Sequence, residues 1–312
     1  AEETLSEKDP GYWQERAAYY RGRKEPAQEE AALQQGLALA QPQPEGQRHG
    51  KGAADWRSSF IGAYAQFLAR ENRAEDAVAL LRKELAESPA LSSSCTRAAQ
   101  CLAFDFDKHI GVDDEVLWTW LENRPHWEYA AERLLWRMLE HANRDDLDRY
   151  FTRAEKLAFE GDPARASSLG WIENRMAYAQ RSLPLLKHAV DKAQDAQLKE
   201  RASFTLFESY LDLGDWKNAE AILPDCSGHL TPREFTDRMS QIAVCAAQGG
   251  AKADAMRVWN RVANLDLTAT AAIPQLVAAG LRDDLVAFYE GVQKAIPSSD
   301  IPEKVLESLR GP

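Results

Sequence analysis

Residues Ala202–Cys226 read ASFTLFESYLDLGDWKNAEAILPDC. Leu206 and Tyr210 share one face of a helix expected over Ala202–Leu213, and Ala219 and Leu223 share one face of a second over Trp216–Leu223. Gly214-Asp215 breaks the pattern between them. Two amphipathic helices joined by so short a turn pack antiparallel, as a helical hairpin. A large residue (Tyr210) is followed nine positions later by a small one (Ala219) and four further on by a large one (Leu223). A small residue lets two helices approach closely, and the large ones fill the space on either side.

The same spacing recurs outward from this stretch. In Asp55–Arg70, with Asp55 as N-cap, Phe60, Ile61, Tyr64, Phe67 and Leu68 form an apolar face. After Glu71-Asn72-Arg73 a second face carries Ala77, Val78, Leu81 and Leu85, until Ser88-Pro89 ends it. Leu68, Ala77 and Leu81 repeat the register. Thr231-Pro232-Arg233-Glu234 has the composition of a capping box, opening a helix to about Gln248. Beyond the turn Gly249-Gly250 come Ala255, Val258, Trp259 and Val262, with Ala246, Ala255 and Trp259 in register. A last pair over Ala269–Ala279 and Asp283–Ile296 turns at Gly280 and stops before Pro297; it keeps Leu276, Leu285 and Tyr289. In Ala131–Ala154 the corresponding residues are Leu134, Leu135 and Met138, then Leu147 and Phe151. No alternating Val/Ile/Thr/Tyr run bounded by hairpin-turn residues occurs, so the expected fold class is all-α.

These hairpins resemble the tetratricopeptide repeat, a helix–turn–helix unit of about 34 residues. The resemblance rests on Leu206, Tyr210, Gly214-Asp215-Trp216 and Ala219, and on residues 57–89, where Tyr64 and Ala65 hold the usual Leu-Gly positions and Asn72 replaces the turn glycine. The Trp usual early in the first helix is here Ser203, Ile61 or Ala131. It implies a superhelical array, an α-solenoid of antiparallel hairpins, because one hairpin has too small an apolar face to stand alone. It also implies a concave inner face that binds an extended peptide, a helix or a protein surface. The expected organisation is an N-terminal helical region over 1–54 with a Pro/Gly-rich loop at 41–52, the array over 55–297, and a C-terminal cap over 298–312.

Composition narrows the partners. The 312 residues carry 38 Lys plus Arg against 49 Asp plus Glu, a net charge of -11, which argues against nucleic-acid backbone binding. No run approaches the length of a transmembrane helix. The opening Ala1-Glu2-Glu3 fits the mature side of a signal-peptide cleavage, giving an exported or periplasmic protein, or a truncated chain, giving a cytoplasmic one. Cys95 and Cys101 are ~9 Å apart along one helix, too far for a direct bridge. Cys226 and Cys245 fall in separate helices, and four buried thiols are expected.

Catalytic signatures are missing. His109, His126, His141 and His188 have no His partner at i+4, and no metal is expected. Asp105, Asp107, Asp113 and Asp114 lack the ligand order of a calcium loop. Asp145-Asp146 and Asp283-Asp284 sit at helix starts, where negative charge meets free N–H groups. No nucleophile elbow, phosphate loop or dinucleotide fingerprint occurs, and no cofactor is expected.

The unusual stretch is aromatic. Trp118, Trp120, His126, Trp127, Tyr129 and Trp136 crowd into nineteen residues, and Asp105–Glu122 holds six acidic residues and one Lys. Trp118 and Trp120 diverge by about 200° on a helix, so one of them is expected to reach solvent. The binding residues expected are therefore Trp118, Trp120, Trp127 and Tyr129 as anchors, with Asp113, Asp114 and Glu115 as an acidic rim for a basic protein or peptide. The leading reading is a non-catalytic scaffold. Its rivals are an all-helical enzyme with carboxylates and Trp lining a cleft, acting on a polysaccharide or similar substrate, and a structural subunit of a larger assembly.

Overall fold

The computed structural model describes residues 6–41, 55–89, 91–226, 228 and 230–311. The loop expected at 41–52 lies outside them from residue 42 onward. Every extended element among the described residues is helical, with no β-strand.

The chain divides into two compact units, residues 1–165 and 166–312. The first unit contains α1 (Pro10–Arg23), α2 (Pro26–Leu39), α3 (Trp56–Arg70), α4 (Ala74–Glu87), α5 (Ser93–Phe104), α6 (Glu115–Glu122), α7 (Tyr129–Glu140) and α8 (Arg144–Glu160). There follow α9 (Pro163–Arg175), α10 (Ala179–Lys192), α11 (Ala196–Asp212), α12 (Trp216–Ile222), α13 (Pro232–Gln248), α14 (Lys252–Leu265), α15 (Ile273–Ala278), α16 (Arg282–Ala295) and α17 (Ile301–Arg310). Within each unit consecutive helices pair as hairpins and the pairs stack. In the first, α3 packs on both α1 and α5, and α5 on α7; in the second, α13 packs on both α11 and α15. This is an all-helical stack of antiparallel hairpins, consistent with a helical-repeat architecture.

The turns share one backbone device. Lys24, Asn72, Ala177, Gly214, Gly250 and Gly280 have positive φ between 58° and 82°. In each turn the next residue's N–H bonds to a carbonyl five positions back: Glu25 to Tyr20, Arg73 to Leu68, Tyr178 to Glu173, Asp215 to Tyr210, Ala251 to Ala246 and Leu281 to Leu276. This closure satisfies carbonyls orphaned at the helix end and reverses the chain. It also explains the register. Nine positions beyond each accepting carbonyl stand Glu29, Ala77, Ser182, Ala219, Ala255 and Leu285, all buried. Four further on are Leu33, Leu81, Leu186, Leu223, Trp259 and Tyr289, also buried. The α1/α2 and α9/α10 hairpins escape the sequence pattern because Glu29 and Ser182 occupy the small position. The α7/α8 pair keeps Met138, Leu147 and Phe151 buried but turns through His141-Ala142 without a left-handed residue.

Local chemistry sets most helix ends. Asp55 accepts from the Ser58 N–H at 3.1 Å, and Thr231 and Glu234 form the reciprocal capping box. Asp145-Asp146 and Asp283-Asp284 lie in the first turns of α8 and α16. Two bounds depart from the sequence reading. Asp195 caps α11 seven residues before the expected start, and α15 covers Ile273–Ala278 instead of Ala269–Ala279, with Pro274 in its first turn, where a missing N–H costs nothing. All four cysteines are buried and free, and burial pushes the Cys226 thiol up to about 12.

Candidate binding faces

In the first unit, α6 is enclosed by neighbours, and this corrects the expectation for its tryptophans. Trp118 and Trp120 are both buried. Their divergence directs them to different contacts. The Trp118 indole donates to the Val112 carbonyl at 2.7 Å, and its ring stacks with Tyr150 of α8, centroids 6.4 Å apart. Trp120 carries the Arg124 guanidinium 4.8 Å from its ring centroid, and Arg124 reaches Thr96 of α5. Trp127 is buried as well, donating to the Leu121 carbonyl at 3.1 Å. Of the four nominated rings only Tyr129 is exposed, at 57%. It stacks on Phe104 of α5, also an exposed ring, with centroids 5.8 Å apart.

The acidic rim is matched by arginines that arrive from distant sequence. Asp113 accepts from the Tyr150 hydroxyl and faces Arg149 at 3.4 Å. Asp114 caps α6 and pairs with Arg82 at 2.6 Å. Glu115 takes two bonds from Arg153, at 2.8 and 3.0 Å, and Arg153 also bonds Glu122 at 2.7 Å. Those Arg153 bonds hold the Glu115 carboxyl below its ordinary range. The same guanidinium lies 4.6 Å from the Trp118 ring centroid. Three arginines of α4 and α8 therefore offset the acids of the rim, and Arg137 of α7 stands 3.7 Å from Asp107.

The second unit has a different surface. Three clefts join along α9 and α11, the first reaching the α9–α10 turn and the second α13. The first, about 760 Å³, is lined by Asn174, Arg175, Arg181 and Asp212 among others. A second of about 370 Å³ shares Asn174, Arg175 and Asp212 and adds Glu208, Arg238 and Gln241. The third, about 560 Å³, shares Glu208 and adds Trp171, Glu200, Arg201, Phe204 and Leu230. On α11 the lining residues Gln197, Arg201, Phe204, Glu208 and Asp212 recur at three- and four-residue spacing, which makes one face of the helix.

Hydrogen bonds fix this face from behind. The Asn174 amide donates to the Ser209 hydroxyl at 2.8 Å, and Ser209 lies 2.9 Å from the Ser182 hydroxyl. This buried polar contact ties α9, α10 and α11 together. Arg238 of α13 crosses to α11, its guanidinium 4.6 Å from the Phe204 ring centroid and its terminal nitrogen 4.0 Å from the Glu208 carboxylate. Burial pushes the Glu208 carboxyl above its ordinary range, against the opposing pull of Arg238.

None of these clefts coincides with the segment that the sequence singled out. The legible signal was the i, i+4 stripe on α11, where Phe204 interrupts polar residues on the side opposite the buried register. Among the described residues no group of three or more His, Cys, Asp or Glu is placed to hold a metal ion, and no helix is long and apolar enough to cross a membrane. Comparison with protein-family models and with curated proteins finds no match to this chain.

Proposed function

We propose that this protein is a non-catalytic scaffold of tetratricopeptide-repeat type that binds a protein or peptide along the concave face of a superhelix. In residues 166–312 the first helices α9, α11 and α13 line that face. The observation that carries the reading is the run of three joined clefts. They are open and shallow, with rings, amides and both signs of charge side by side, which suits an extended partner held by several modest contacts. The hydrogen bonds behind the face favour rigid presentation of these groups, which lowers the ordering cost of binding.

The test is site-specific photo-crosslinking. A photoreactive phenylalanine analogue at Gln241, inside the clefts, is expected to capture a discrete partner, whereas one at exposed Lys217 on α12 captures none. Equal capture from both positions, or none from either, overturns the assignment of this face.

A further inference from the structure

We infer that the cleft beside Glu208 receives a basic side chain, a lysine or arginine carried by the protein or peptide partner. The inference rests on the scaffold reading above and names the chemistry of what that scaffold takes.

The cleft brings two aromatic rings, Trp171 and Phe204, together with two carboxylates, Glu200 and Glu208, and one guanidinium, Arg201. A ring face attracts a cation through its quadrupole, and a carboxylate supplies both charge and acceptor oxygens. The Glu208 carboxylate is half-buried, and no hydrogen-bond donor among the described residues reaches it. Its nearest cation, Arg238, stands at the 4.0 Å limit of an ion pair and donates instead to Gln241 at 3.0 Å. Arg238 itself shows that a guanidinium is accommodated against Phe204.

The other charges facing Glu208 are Arg175 from α9 and Asp212 from α11. Arg175 and Arg238 favour its ionised form, and Asp212 opposes it. An acidic side chain that pairs with Arg201, Arg175 or Arg238 still leaves the Glu208 oxygens without a donor, and one set against Glu208 meets like charge. A neutral apolar one also leaves them unpaired while stripping their water, which costs binding energy. A cationic side chain satisfies both.

The experiment measures fluorescence anisotropy of the full chain with three labelled dodecapeptides, alternating Ser with Lys, Glu or Gln. The Lys–Ser peptide is expected to bind tightest. Glu208→Gln should weaken it about ten-fold or more, as expected for loss of a charge-assisted hydrogen bond. Glu303→Gln, at an exposed position of α17, removes the same net charge and should leave the affinity nearly unchanged. Circular dichroism melting of both variants checks that they stay folded. A second readout needs no substitution: affinity for Lys–Ser should fall as pH drops and Glu208 takes its proton, beginning above the ordinary carboxylate range. Equal effects of the two substitutions, or a flat pH response, overturn the inference. If Glu–Ser or Gln–Ser binds best and is captured from Gln241, the groove stands and the basic class falls. If no peptide is captured there, both readings fall.

Discussion

Arg57 of α3 and Glu84 of α4 meet through two parallel bonds, Nε to Oε1 at 2.8 Å and Nη2 to Oε2 at 2.6 Å, with the carboxylate almost fully buried. Burial opposes ionisation of Glu84, but hydrogen bonds from Arg57, Ser88 and Ser94 outweigh it and hold the carboxyl below its ordinary range. Removing one partner leaves a buried charge uncompensated, so Arg57→Ala should cost about 3–5 kcal/mol in urea unfolding. Because the folded-state carboxyl is more acidic than the unfolded one, its stabilisation is complete above the unfolded value. That contribution is lost as pH falls through the folded value. Melting temperature against pH should therefore drop on the acid side in the native chain, with a shallower drop in Arg57→Ala.

Gly36 of α2 lies beneath the ring of Phe60, where an added Cβ would come 2.1 Å from Cζ. Gly36→Ala should destabilise by ~1–3 kcal/mol through overpacking. Gly22 in α1 faces open space, and Gly22→Ala should stabilise by roughly 0.4–1 kcal/mol. Urea midpoints moving in the same direction would contradict this placement.

Ala219 is wholly buried between α11 and its neighbours, whereas Lys217 is exposed. Ala219→Leu should cost ~1–3 kcal/mol and Lys217→Leu within about 0.5 kcal/mol. Equal urea midpoints would tell against the nine-residue register.

Ala177 holds φ 68° in the α9–α10 turn, and Gly214 holds 74° at the equivalent place in the α11–α12 turn. The left-handed region costs a residue with a Cβ roughly 1–2 kcal/mol, so Gly214→Ala should lower the melting temperature and Ala177→Gly should raise it. Thermal unfolding of the two variants checks the opposite signs.

Trp118→Ala and Trp120→Ala should each cost ~3–5 kcal/mol, since both rings fill enclosed space. Tyr129→Ala should change stability by about 0.5 kcal/mol or less. Denaturant titration of the three variants separates a packed ring from an accessible one.

The hairpins were legible where small and large residues alternate at fixed distance, as in Tyr210, Ala219 and Leu223. They were hidden where a polar residue took the small place. Glu29 can do so because Arg21 and Arg70, each 2.8 Å away, neutralise it, and no local pattern announces those partners. The partners of the acidic segment were hidden for the same reason. Asp114, Glu115 and Glu122 stand together in sequence, but Arg82 and Arg153 reach them only through the tertiary fold. Of the clefts on α9, α11 and α13 only the α11 stripe from Gln197 to Asp212 was legible, because Trp171, Asn174 and Arg175 of α9 and Arg238 and Gln241 of α13 reach it only through the tertiary fold.

The left-handed turns also bear on how the chain finds its fold. Each turn bond joins residues five apart, and each packing register links residues nine apart, so a hairpin's first contacts lie within a short stretch of chain. Closing about ten residues takes on the order of 10–100 ns, far sooner than long-range pairing. A topology built from such near neighbours has low contact order and folds quickly. Any hairpin can start the process, with neighbours adding by docking onto an apolar face already formed. A nick or truncation between hairpins should then shorten the stack and leave the remaining hairpins able to nucleate on their own.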